Sequence, residues 1–300
     1  MTPPVRPPAA VAFIGLGNMG VPMAARLIEA GYKVTGCDAA PAARERFAAI
    51  AGAASVADVA AAVAGVPVVI TMLPDGKAVA VVVATMRPHL APGAIVIDMS
   101  SSDPVGTRAL GAELAAAAIR LIDAPVSGGV KRAVDGSLSI MVGGAAADLE
   151  RARPVFAAMG RTITLCGPAG AGHALKALNN YLSAAGVVAM CEALIVGEAF
   201  GLDPGTMVDV FNTSTGKSNA TEVKGRQFVV PRTFAAGFSM ALMAKDLRTA
   251  GDVASHLKLK VPNLEQAVAY WTDADGKLGK GADHTEIFRY AEMLADKEGA

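Results

Sequence analysis

The chain has 300 residues, 53% of them apolar, which is enough for two domains and a sizeable core. Its 27 basic and 27 acidic residues cancel without clustering, which argues against a nucleic-acid surface. Three widely spaced cysteines, Cys37, Cys166 and Cys191, suggest a reduced, cytoplasmic protein rather than a disulfide framework. The isolated histidines show no metal-ligand spacing, so no metal site is expected.

In chain order, MTPPVRPPAA (1–10) reads as a flexible leader with no hydrophobic signal core. AVAFIG (10–15), KVTGCD (33–38), PVVITML (67–73), AIVIDMS (94–100), RLIDAP (120–125), SLSIMVGG (137–144) and TITLCG (162–167) read as strands. Most are nearly continuous apolar runs, the pattern of strands buried on both faces of a parallel sheet. Ala-rich segments of crossover length separate them, so the first half predicts an α/β, doubly wound, Rossmann-type parallel sheet over 11–167. After Gly167 the strand signals stop. Residues 171–199 form one long helical pattern, and Gly201, Pro204, Pro231, Pro262 and GKLGKGAD divide the remainder into shorter helices. The expected second domain is therefore all-α, spanning 168–300 and including a long interdomain helix. Residues 181–197 approach the length of a membrane span but contain Glu192, with Glu198 just beyond, so no membrane span is expected.

GLGNMG (15–20) is a G-x-G-x-x-G match that closes the first strand and opens the helix MAARLIEAG. Gly15 suits the tight turn, Gly17 the close approach of a pyrophosphate, and Gly20 the packing of helix on strand. With Leu16, Asn18 and Met19 these residues form the expected dinucleotide loop, the helix N-terminus facing the phosphates. Asp38 lies at the end of the second strand, where a carboxylate accepts bonds from the adenosine ribose hydroxyls. Ala39 and Ala40 follow instead of an arginine that would welcome a 2′-phosphate, so NAD is preferred over NADP. The competing reading of Asp38 is a cap for the following turn. In DAPVSGG (123–129), Ser127 with the backbone N–H groups of Gly128 and Gly129 suits a carboxylate, the alternative being a plain glycine turn.

GAGHALKALNN (170–180) carries polar groups into an apolar helix. Residues three, four and seven apart share a helix face, so Gly172, Lys176, Asn179, Asn180 and Ser183 form one stripe suited to lining a cleft. A snorkelling surface lysine is the competing reading of Lys176. His173, a lone imidazole, reads as a helix cap or surface residue.

GLGNMG, MLP (72–74), DMSSSDP (98–104), DAPVSGGV (123–130), GAGHALKALNN and GFSMALMAKDL (237–247) occur in the order and spacing of the β-hydroxyacid dehydrogenases. From about residue 11 to 294 the chain resembles their 3-hydroxyisobutyrate dehydrogenase branch. That resemblance implies Lys176 as the catalytic lysine and Asn180 as the substrate-orienting asparagine, with Ser127, Gly128 and Gly129 holding the substrate carboxylate. It implies cofactor contacts at Leu73, Pro74, Ser101 and Lys245, with Lys245 and Asp246 closing the site and Asp246 on the substrate side. Phe238 falls on an apolar wall residue of the family pocket, although a core Phe fits as well. Ser101 departs from the usual Thr but keeps the hydroxyl, and Met99 replaces a common Ser.

The expected reaction is NAD-dependent oxidation at the CH–OH group of a 3-hydroxy acid, or its reverse, with Lys176 as general acid/base. A base must be neutral, so burial is expected to depress its pKa. In NTSTGKSNATE (212–222), Asn219 stands where family members carry Trp, which implies a roomier, more polar pocket, and Lys217 nearby would meet a second anionic group. The expected substrate is larger or more hydroxylated than 3-hydroxyisobutyrate, for example sugar-acid-like or dicarboxylic. The resemblance also implies a homodimer or homotetramer. An NADPH-type glyoxylate or succinic semialdehyde reductase is the alternative enzyme, which an Asn-Arg pair in place of Asp38-Ala39 would favour. A non-catalytic NAD-binding relative would be expected to have lost Lys176.

Overall fold

A computed structural model describes residues 3–295. The chain divides into two compact units, one ending at Lys176 and the other beginning at Ala177. The division falls inside a single continuous helix, Ala171–Phe200.

The first unit is built on one sheet. Its strands are β1 (Ala10–Ile14), β2 (Lys33–Cys37), β3 (Ala54–Val56), β4 (Val68–Thr71), β5 (Ile95–Asp98), β6 (Arg120–Asp123), β7 (Val126–Ser127), β8 (Leu138–Gly143) and β9 (Gly160–Gly167). They lie in the order β3-β2-β1-β4-β5-β6-β8-β7, with β9 on β8. From β3 to β6 every pairing is parallel, giving the 3-2-1-4-5-6 order of a doubly wound dinucleotide fold. The expected all-parallel sheet needs one amendment: β8 runs antiparallel to both β6 and β7, so the sheet is mixed. Strands β3 and β7 were not expected; each is only two or three residues long.

Alternation along the central strands supplies two cores. Phe13, Ile70 and Ile97 face one helical layer, where Met23, Leu27, Phe47 and Phe156 are also fully buried. Ile14, Val69 and Val96 face the other, against Val83, Met86 and Leu114. Successive side chains point to opposite faces, so a strand covered on both must be apolar throughout. Truncating one such residue, Phe13→Ala for instance, is expected to cost about 3–5 kcal/mol. The expected flexible leader is also amended, because Val5 is buried, its N–H bonds the Arg151 carbonyl, and its own carbonyl accepts from the Tyr32 hydroxyl at 3.1 Å.

The second unit is helical. The long helix is followed by Pro204–Thr213, a π-helix at Ala220–Val229, Met240–His256, Pro262–Leu278 and Ile287–Ala295. Asp203 caps the first of these and Ser239 the third, each side chain accepting a backbone N–H of the first turn. Trp271, Val187, Cys191, Ala244, Leu247 and Ile287 are fully buried in its core. By length and apolar composition alone, the long helix is of the kind that can cross a membrane, a property it shares with the core helices of soluble proteins.

Candidate active site

The pairing of β1, β2, β4, β5 and β6 is unstaggered. Ile14 pairs with Cys37 and Thr71, Thr71 with Asp98, and Asp98 with Asp123. The segments that follow these residues, GLGNMG, Asp38, Leu73-Pro74, Ser100-Ser101 and DAPVSGG, are therefore gathered at one carboxyl edge of the sheet. In an open α/β sheet that edge, at the strand-order switch between β1 and β4, is where ligands bind.

The glycine loop has the shape of a phosphate cradle. A Cβ on Gly15 would lie 2.2 Å from the Met72 carbonyl oxygen, and one on Gly20 would lie 1.9 Å from the Gly15 carbonyl oxygen. Packing thus demands both glycines. A Cβ on the exposed Gly17 would meet no protein atom within 4 Å, so its absence clears space outside the chain, as a bound pyrophosphate requires. No side chain caps the helix Gly20–Glu29, so none competes with an anion at its start, although Val21 N–H donates to the Gly17 carbonyl and Pro22 has no N–H. Leu73 is tied to the neighbouring strand end, its N–H donating to Ser100 Oγ at 2.9 Å, while Pro74 is exposed and Ser101 half-buried. These residues fit a dinucleotide.

Asp38 combines its two expected roles. Its carboxylate accepts the Leu16 N–H at 2.7 Å, which holds the glycine loop, and the Ala40 N–H at 2.8 Å, which caps the turn. The carboxylate is still half-exposed and keeps acceptor capacity for ribose hydroxyls. Arg44, which sequence reasoning passed over, donates from Nη1 to the Asp38 carbonyl at 2.7 Å and the Ala39 carbonyl at 2.9 Å.

In the next loop Ser127 is half-buried in β7 and pairs with Ser139. Gly128 and Gly129 both have positive φ, +131° and +66°, a backbone conformation that favours glycine. The side chain of Arg132 folds against Gly128, adding a nearby cation that the sequence did not single out.

The long helix begins at this same edge. Asp123 Oδ1 accepts the Gly170 N–H at 2.7 Å and Oδ2 accepts the His173 N–H at 2.9 Å, so a buried carboxylate caps the helix start. Gly172 permits the contact, since a Cβ there would lie 2.3 Å from the Met141 carbonyl oxygen. His173 was expected as a helix cap or surface residue, but its ring is buried and bonds a side chain rather than the helix backbone. It is 1% exposed, shares a hydrogen bond of 2.9 Å between Nδ1 and Thr107 Oγ1, and has Nε2 3.7 Å from Asp98 Oδ2. Asp98 in turn accepts from Thr71 Oγ1, the Ser100 N–H and Ser102 Oγ. Lys176, half-buried, stands three residues beyond His173 on a helix whose start is held by the strand-end carboxylate of Asp123.

In the second unit the stripe continues. Asn180 Nδ2 donates to Asp246 Oδ2 at 2.5 Å, and Asn180 Oδ1 accepts from Asn179 Nδ2 at 3.2 Å, which fixes the amide. Asp246 is 2% exposed and its other oxygen lies 3.2 Å from Lys245 Nζ. Three predicted residues, Asn180, Lys245 and Asp246, are thereby brought together. The others on this unit are less engaged. Asn219 is exposed at the start of the π-helix, and Lys217, expected to meet a second anion, is instead an exposed partner of Glu222 at 2.9 Å. Phe238 is half-buried against the core, edge-on to His284. The residue missed is Lys224, buried beside Ser183, to whose Oγ its Nζ donates at 2.9 Å. It sits in the polar run ATEVKGRQ, where nothing in the sequence marks it as buried.

Residues 10–167 match the NAD-binding domain of 6-phosphogluconate dehydrogenase, and residues 170–291 match the family described as NAD-binding of NADP-dependent 3-hydroxyisobutyrate dehydrogenase. The chain is 39% identical to the NAD-dependent L-serine dehydrogenase of Pseudomonas aeruginosa, over 81% of this chain and 85% of that protein. It is 36% identical to the 2-(hydroxymethyl)glutarate dehydrogenase of Eubacterium barkeri, over 86% of each. The Mycobacterium tuberculosis 3-hydroxyisobutyrate dehydrogenase solved with L-serine matches with a TM-score of 0.90 at 35% identity, covering 94% of this chain and 98% of that one. The chain belongs to the 3-hydroxyisobutyrate dehydrogenase family. It is an oxidoreductase acting on the hydroxyl group of a small hydroxyacid.

Proposed function

We propose that the protein oxidises a 3-hydroxy acid with NAD, Lys176 acting as general base, and as general acid in the reverse direction. The observation that carries this reading is the start of the long helix. Asp123 ties it to the carboxyl edge that also bears the glycine cradle and the Ser127–Gly129 loop, and Lys176 follows within two turns. The bound dinucleotide would supply the hydride acceptor. Lys176 would take the substrate hydroxyl proton, Asn180, held by Asp246, would orient that hydroxyl, and Ser127 with the Gly128 and Gly129 N–H groups would hold the carboxylate. Fixing the carboxylate and hydroxyl together makes the step effectively unimolecular. Asn219 and Phe238 would border the substrate; Gly15 to Gly20, Leu73, Pro74, Ser101 and Lys245 would border the cofactor.

For the cofactor, the partly exposed Asp38 carboxylate followed by Ala39 and Ala40 favours NAD. One observation favours NADP: Arg44 lies within hydrogen-bonding reach of the same turn and would pair with a 2′-phosphate if it released the two carbonyls. Initial rates of NAD⁺ and NADP⁺ reduction over a panel of hydroxyacids test the reading. Turnover of 3-hydroxy acids with a preference for NAD⁺ is expected. No turnover with either nucleotide would remove the dehydrogenase assignment, and preference for NADP⁺ would remove only the NAD assignment.

Assembly is part of the same proposal. Leu175, Leu178, Leu182, Val196 and Phe200 are 43%, 42%, 71%, 69% and 84% exposed. At about 100° per residue they lie within about 60° of one another on the long helix. A stripe of this kind on a helix whose opposite face is core suits contact with a second copy of the chain better than water. The three unpaired thiols favour a reducing compartment, the cytoplasm.

A further inference from the structure

Lys224 is the buried charge that the reaction as described does not use. It is 8% exposed, within the π-helix Ala220–Val229. That backbone lies close against its neighbours. A Cβ on Gly225 would be 3.1 Å from Met190 Sδ on the long helix and 3.2 Å from Val208 Cγ2 on Pro204–Thr213, so a larger residue would make these side chains give way by a few tenths of an ångström. The approach delivers Lys224 Nζ to Ser183 Oγ at 2.9 Å. Burial pushes the ammonium pKa down to about 8, with Asp283 and Cys191 acting in the opposite direction. Lys217 is paired with Glu222 and Lys245 with Asp246, but among the described residues Lys224 has no ion-pair partner. A cation taken out of water with one hydrogen-bonded hydroxyl and no ion pair is costly unless an anion joins it.

Its place on the helix says where that anion belongs. Ser183 is three residues beyond Asn180 and seven beyond Lys176, on the same face. The rise from Asn180 to Ser183 is about 4.5 Å, the reach of a short aliphatic chain. We propose that Lys224 and Ser183 bind a second anionic group of the substrate, distal to the carbinol, so that the preferred substrate is a 3-hydroxy acid bearing a second carboxylate. This rests on the dehydrogenase reading above and narrows its substrate class. Lys224 is then a specificity residue: it touches the far carboxylate and takes no part in proton transfer.

The test compares two acids that differ only at the far end, 2-(hydroxymethyl)glutarate and 2-(hydroxymethyl)pentanoate, with the purified full chain. The dicarboxylate should show the higher kcat/KM by about tenfold to a hundredfold, the range of a hydrogen bond to a charged group. Lys224→Met should lower that ratio at least tenfold, through KM for the dicarboxylate, and Lys224→Arg should restore part of it. An unchanged ratio, or an equal loss on both acids, overturns the assignment. Should Lys224→Met fail to fold, competitive inhibition of the wild type decides: glutarate should inhibit at least tenfold more tightly than pentanoate, and equal inhibition overturns it. If the wild type oxidises no hydroxyacid with either nucleotide, the dehydrogenase reading falls and takes this assignment with it. Oxidation of the monocarboxylate without discrimination removes this one alone.

Discussion

Asp123 offers the most direct route from a single side chain to the architecture around Lys176. Both carboxylate oxygens are used, on the Gly170 and His173 N–H groups at 2.7 and 2.9 Å, in a fully buried setting. In Asp123→Asn the oxygen can accept one of these bonds, while the amide N–H₂ faces the other donor. The variant loses one bond to a charged group, about 1.5–3 kcal/mol, and leaves a buried N–H unsatisfied, about 1–3 kcal/mol. The two overlap, so a net loss of about 2–4 kcal/mol in the first unit is expected, together with the helix-dipole contribution of the lost charge. Urea denaturation followed by circular dichroism measures it. Because the helix start carries Lys176, kcat should also fall more than the affinity for NADH. A destabilisation below about 1 kcal/mol, with kcat intact, would refute the idea that this carboxylate anchors the helix.

Two further outcomes follow from the second unit. Burial lowers Lys224 from its ordinary 10.5 to about 8, a difference worth about 3 kcal/mol. Because the folded chain binds the proton less tightly than the unfolded chain, that cost is fully present below pH 8 and is relieved as pH rises from about 8 to 10.5. Lys224→Met should therefore be the more stable form at pH 7, with its advantage over the wild type shrinking by pH 10; an advantage independent of pH would sink this account of the burial cost. Phe200→Glu and Leu182→Glu, which place charge on the exposed apolar stripe, should lower the mass seen by light scattering after gel filtration, and an unchanged mass would show that the stripe is not the interface.

The α/β half was legible because both faces of β1, β4 and β5 are covered, so their apolar runs stand out against Ala-rich helices. Strands β3 and β7 escaped because two or three residues carry no period. The reversed direction of β8 escaped because residue identity does not encode strand polarity; the short helix Gly129–Val134 sets it by returning the chain after only a few residues. Gly15 and Gly20 were legible since a Cβ at either would collide with backbone, and Gly17 since the dinucleotide motif calls for open space there. His173 was misread because its partners come from residues 98 and 123 at adjacent strand ends and from Thr107 on the helix Pro104–Ala116, distant in sequence and brought together only by folding. Lys224 was invisible for a related reason. Its burial depends on π-helical backbone, and neighbours such as Glu222 and Arg226 make its segment read as solvated. Lys217, the more conspicuous lysine in sequence, proved to be the surface residue.

The central claim is that Lys176 moves the substrate proton. Its most direct test is Lys176→Ala, with NADH affinity followed by fluorescence and hydroxyacid oxidation by absorbance at saturating NAD⁺. The account predicts NADH affinity within about twofold of the wild type and a fall in kcat of about 10²–10⁴-fold, the size of a lost general base. Normal NADH binding with kcat undiminished would contradict it.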